Sequence, residues 1–169
     1  TAARNAGVKP IAGCDVWITH ASERDAPFRA LLLAADRSGY LRLCDWLTRA
    51  YRTHQHRGRA EVDPAWLDED TEGLIALAGA RESDVGQALL QGNAAAARVA
   101  AEAWKRRFPG RCYLEVQRAG HADDDALVDA TVALAADVGL PVVATHPVQF
   151  LRPGDFRAHE ARVCIAGGH

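Results

Sequence analysis

The chain has 169 residues, 49% hydrophobic and 25% charged, the composition of a soluble globular domain long enough to bury a core. Its formal net charge of −2 supplies no global field toward nucleic acid or a membrane surface, and no apolar run approaches the roughly 20 residues of a membrane span. Cys14, Cys44, Cys112 and Cys164 stand far apart without a CxxC pair, which argues against a zinc knuckle or dithiol motif and suits buried, reduced thiols in a cytoplasmic protein.

"TAARNAG" reads as the last turns of a helix, stopped at Gly7. With no methionine in the chain, a fragment is expected. "KPIAGCDVWIT" (9–19) has strand composition, and "FRALLLAAD" (28–36) is an apolar run of the kind found in strands buried on both faces. Ser38 then caps a helix that places Leu43, Trp46, Leu47 and Ala50 on one side. "THQHRGRAEV" (53–62) is polar and reads as loop. Asp63 caps a short helix with Pro64 in its first turn.

"GLIALAG" (73–79) is a further strand, and "SDVGQALLQGN" a short helix ending at Gly92. Asn93 caps a helix striped with Ala97, Ala101, Trp104 and Phe108, stopped by Pro109-Gly110. "RCYLEVQ" is a strand. The helix "DDDALVDATVALAADVG" follows, with three carboxylates at its positive end and Leu127, Leu134 and Val138 inward. "PVVAT" is the last strand and "GDFRAHEARVCIA" the last helix. Such alternation predicts a parallel α/β architecture, whose chemistry gathers at the carboxyl ends of the strands. Those ends lie near Asp15 and Asp36 and at "AGARES", "QRAGH" and "THPVQ".

Few residues offer chemistry by spacing alone. His54 and His56 form an HxH pair that chelates a metal only if it lies on a strand; a solvated loop is the simpler reading. Arg49, Arg52, Arg57 and Arg59 add charge that suits a phosphate backbone, but no aromatics interleave to stack bases. Asp123, Asp124 and Asp125 suit a metal nest or, more simply, a helix N-terminus. "AHEARV" is not HExxH, so His159 reads as a packed or capping residue. No phosphate-binding loop, dinucleotide fingerprint or nucleophile elbow is present.

Taken together, "AGVKPIAGCDVW", "LLLAADRSGYLRLCDWLTRAY", "DVGQALLQGN", "FPGRCYLEVQRAG" and "GLPVVATHPVQFLRPGDFRAHEARVCIA" resemble the PHP (polymerase and histidinol phosphatase) family. The form is the one at the N-terminus of the alpha subunit of proteobacterial DNA polymerase III. The resemblance spans residues 1–167 as one domain, leaving Gly168 and His169 as an appended remnant. It implies a distorted seven-stranded β/α barrel, here lacking its first strands, and a metal cluster at the strand ends.

Matched position by position, the family's Glu is Asp15, its His is Arg29, its Cys is Ala80, and the Asp and His of its last strand are Pro147 and Gln149. His146 takes the usual Asn place, where a side chain points away. The resemblance thus implies a former metal site with no catalytic residue and no bound metal, in which Arg29 pairs with Asp15 and stands in for the cation, at a cost of about 1–3 kcal/mol for Arg29→Ala if the pair is substantially buried. It implies a structural brace and docking site for the proofreading exonuclease (epsilon) subunit. The rest of the alpha subunit is a further partner, and the sliding clamp and DNA are met through the parent chain. The parent enzyme would be a DNA-directed DNA polymerase using magnesium. The alternatives are a metal-dependent PHP phosphoesterase or 3′–5′ exonuclease, and a sugar-phosphate enzyme on a complete barrel.

Overall fold

The computed structural model describes residues 2–168. A short helix, α1 (Ala2–Asn5), leads through Gly7, at φ 75°, toward β1 (Gly13–Ile18). β2 (Phe28–Ala34) follows after only nine residues. A connection that short cannot carry the crossover of about a dozen residues that parallel neighbours need. The two strands run antiparallel, with Asp15 opposite Leu31 and Trp17 opposite Arg29.

α2 (Arg37–Thr53) is capped by Asp36, not Ser38: the Asp36 carboxylate accepts from Gly39 N at 3.0 Å and from the Ser38 hydroxyl at 2.7 Å. The segment expected as loop is a hairpin, β3 (Gln55–His56) and β4 (Arg59–Val62). Its turn has Arg57 at φ 50° and Gly58 at φ 79°, both positive as the tightest hairpins require. An arginine at the first of these places hides the turn from a search for Asn-Gly or Asp-Gly.

α3 (Pro64–Glu69) is capped by Asp63 as expected. β5 (Leu74–Ala78), α4 (Asp84–Leu90), α5 (Ala94–Arg107), β6 (Cys112–Val116), α6 (Asp124–Val138), β7 (Val142–Ala144) and α7 (Phe156–Gly167) complete the order. Ser83 caps α4 and Asn93 caps α5.

The sheet order is β3-β4-β1-β2-β5-β6-β7. β4 lies parallel to β1, β5 antiparallel to β2, and β5, β6 and β7 mutually parallel. The expected all-parallel sheet is therefore mixed. Among the described residues there are seven strands, but the expected barrel is not closed: β3 and β7 are the edges of the sheet. Val16, Ile18, Ala30, Leu32, Leu74, Ala76 and Leu114 lie on one face and share a core with Leu43, Trp46 and Ala50 of α2, Trp66 and Leu67 of α3, and Ala97, Ala101 and Trp104 of α5. Asp15, Trp17, Arg29 and Leu31 alternate to the other face.

All four cysteines are free, and the buried Cys112 thiol is pushed up to about 12, by burial first and by Asp84 second. This thiol is inert at neutral pH.

Candidate functional site

Because β2 runs against β1, β5, β6 and β7, its amino end meets their carboxyl ends at one rim. The strand period places Asp15 and Arg29 on the same face, one diagonal step apart. Arg29 Nε donates to Asp15 Oδ1 at 3.2 Å and Nη2 lies 2.9 Å from Oδ2, a two-pronged pair. Its Nη1 donates to Glu82 Oε2 at 2.8 Å, and its backbone N–H donates to the Glu82 carbonyl at 2.8 Å. The guanidinium thus clamps β1 to the β5–α4 loop. Hydrogen bonding to Asp15, and secondarily to Glu82, outweighs desolvation and raises the Arg29 pKa, so this cation is permanent.

The clamp forms part of the wall of a cavity of about 320 Å³ to which Ala80 and Pro147 also contribute. Four of the five matched positions therefore converge. Gln149 does not: it is exposed and lies outside the cavity wall. His146 is likewise exposed beside half-buried Thr145 and Pro147, the alternation expected of it. Ala80 contributes a methyl group, and its carbonyl closes the loop by accepting from Ser83 N at 2.8 Å.

The cavity also holds side chains that spacing did not single out. Glu115, 6% exposed, accepts from Gln117 Nε2 at 3.0 Å and from the Thr145 hydroxyl. Asp124 accepts on Oδ2 from three successive backbone N–H groups: Ala119 at 2.7 Å, Gly120 at 2.9 Å and His121 at 3.0 Å. Arg81 bridges Asp123 and Asp124. Alternation in "CYLEV" puts Tyr113 and Glu115 on the face opposite Cys112 and Leu114, the one that carries Asp15 and Arg29, and that is the available signal for Glu115.

Burial alone would raise the Asp124 pKa, but the three backbone donors outweigh it and hold the group below the ordinary 3.8. A depressed carboxyl stabilises the fold above its unfolded value and loses that contribution as pH falls through the folded value. Asp124→Asn should therefore lower the thermal midpoint at neutral pH. The variant and parent curves should converge as pH drops below about 3.8; a gap independent of pH would contradict this reading.

A family model described as the PHP domain matches residues 1–119. The chain belongs to the PHP domain family. It is similar to DNA polymerase III subunit alpha of Neisseria meningitidis serogroup A, 50% identical over 99% of this chain and 15% of that protein. The same subunit from Pseudomonas aeruginosa is 42% identical over 98% of this chain and 14% of that protein, and from Escherichia coli K12 40% over 99% and 14%. The chain spans about one seventh of the length of these relatives.

The metal cluster that the PHP resemblance implies does not fit the residues present at the matched positions. Ala80 and Pro147 carry no ligating side-chain atom, and the Asp15 carboxylate is taken by the Arg29 guanidinium, itself a fixed cation. Among the described residues no group of three His, Cys, Asp or Glu side chains is placed to share a metal ion.

The pair forms as expected but is not substantially buried. Side-chain exposure is 41% for Arg29, 52% for Asp15 and 51% for Glu82, so water screens all three. Arg29→Ala should cost about 1 kcal/mol, the scale of exposed ion pairs. A double-mutant cycle with Asp15→Ala, read by denaturant unfolding, should give a coupling of about 0.5 kcal/mol; zero coupling would show the contact to be energetically idle.

His54 and His56 diverge. His54 Nε2 lies 3.0 Å from the Thr19 hydroxyl, whereas His56 pairs with Asp25. Thr19 also donates to Glu61 Oε2 at 3.0 Å. The Glu61 side chain has no exposure, and it receives Arg24 at 3.1 Å and Arg59 at 2.9 Å and 3.1 Å. Arg49 is paired with Glu69 and lies 4.2 Å over the Trp66 ring, and Arg57 is paired with Asp25. Of the four arginines that suggested a phosphate contact, three are thus already neutralised by carboxylates. His159 rests against Phe150 at 5.5 Å, a packed residue as expected.

Proposed function

We propose that this chain is a non-catalytic PHP domain of a replicative DNA polymerase alpha subunit, serving as a structural brace and as the docking site for the proofreading exonuclease subunit. The observation that supports the reading is the Arg29 clamp: a fixed cation, held by Asp15 and Glu82, at a position where the family resemblance implies a metal ligand. Metal-assisted phosphoester hydrolysis requires a metal to activate water and neutralise the phosphate, and the matched donor set does not favour one. The resemblance to alpha subunits supports a parent chain that extends DNA with magnesium, works with a sliding clamp and resides in the cytoplasm.

Titration of a labelled exonuclease subunit against a complete PHP domain of this parent should saturate at micromolar concentration. No saturable binding would sink the docking role. Purified chain supplied with manganese or zinc should hydrolyse neither DNA nor phosphomonoesters above background. Metal-dependent turnover that survives removal of contaminating nucleases would restore the phosphoesterase reading.

A further inference from the structure

The cavity behind the Arg29 clamp contains polar atoms that no other group in the chain satisfies. Both donors to the 6%-exposed Glu115, from Gln117 and Thr145, reach Oε1. Among the described residues no cation pairs with this carboxylate and no donor reaches Oε2. Thr131, on the inner face of α6, is fully buried and lines the same cavity, and its hydroxyl has no partner. Buried polar atoms are almost always bonded, so the unpartnered Thr131 hydroxyl, beside a carboxylate oxygen that no donor in the chain reaches, points to a missing group.

The chemistry of the walls narrows what that group is. Four carboxylates face two guanidiniums around the cavity, and both guanidiniums are already committed to carboxylates. The unanswered charge is negative, so the ligand is a cation. Leu31, Leu127 and Val128 form an apolar stretch of wall that does not suit a hydrated metal ion but does suit an alkyl stem. At about 320 Å³ the space is at the small end of ligand cavities. We propose that it binds an alkylammonium group, with the ammonium donating to Glu115 Oε2 and to the Thr131 hydroxyl and the stem lying along Leu127 and Val128. Arg81 Nε, a further buried donor without a partner, suits a carbonyl oxygen on the same ligand. A lysine residue of a partner protein carries both features, whereas a free diamine carries only the first.

Calorimetric titration of the intact chain with N-acetyl-lysine methylamide should show saturable binding. Putrescine should bind more weakly and n-butanol not at all. Tighter binding of putrescine than of the lysine probe would still place an ammonium at Glu115, with a free polyamine as its source. Glu115→Gln should weaken the lysine probe about tenfold, the worth of a charge-assisted hydrogen bond. If that variant fails to fold, Val128→Phe, which fills the apolar wall, should abolish binding. Amide NMR shifts should localise binding to residues 127–131. Absence of saturable binding, equal binding of n-butanol, or displacement of the lysine probe by equimolar magnesium would overturn the proposal.

Discussion

Glu61→Ala is expected to destabilise the domain by about 3–5 kcal/mol, the loss seen when one partner of a buried ion cluster is removed. The Glu61 side chain has no exposure, and it receives two arginines and a hydroxyl: Arg24, Arg59 and Thr19. Truncation would leave two guanidiniums, 34% and 31% exposed, facing each other across a void with no counter-charge. It would also untie two distant parts of the chain, since Glu61 lies on β4 and Arg24 in the β1–β2 connection. The midpoint of denaturant unfolding should fall with an unchanged slope. Removing Arg24 and Arg59 together with Glu61 should recover part of the loss, because the orphan charges go too. A Glu61→Ala cost of less than about 1 kcal/mol, the range of exposed pairs, would show that water enters the cluster.

The second large effect is expected at Gly86. A Cβ there would meet the Ala80 carbonyl oxygen at 2.2 Å and the Gly79 carbonyl oxygen at 3.0 Å, and both are backbone atoms that cannot swing aside. Gly86→Ala should therefore cost about 2–3 kcal/mol, at the upper end for overpacking. It should do so by pushing the loop that carries Ala80, Arg81 and Glu82 away from α4. Arg29 would lose Glu82, so Arg29→Ala should cost less in the Gly86→Ala background than in the parent. Equal costs in both backgrounds would show that the loop accommodates the methyl without moving.

What the sequence revealed follows from how local each signal is. α5 was legible end to end: Asn93 caps it, and Ala97, Ala101, Trp104 and Phe108 all lie buried on one stripe. Helical spacing and caps are properties of neighbouring residues. The Arg29–Asp15 pair was legible only through family resemblance, because its partners sit on separate strands. The reversed course of β2 had a local cue, the nine-residue connection, that the apolar run outweighed. The β3–β4 hairpin was hidden by Arg57 at a positive φ. Glu82, Glu115 and Asp124 meet in one cavity from a loop, a strand and a helix. No spacing rule brings them together; only the sheet order does.

Pro147 has a role at the rim beyond lining the cavity. β7 is a free edge of three residues, and a free edge is a template on which another chain can add itself as a strand. The ladder to β6 ends with Thr145 N donating to the Val116 carbonyl at 3.0 Å, and two residues later the backbone has no N–H to offer. The same proline that lines the cavity thus stops the β6–β7 ladder and shortens the edge available for intermolecular pairing. Exchanging it for aspartate would place a carboxylate in the cleft and, with it, a backbone donor on the side facing β6, where one more ladder bond would lengthen the edge strand on which another chain can pair.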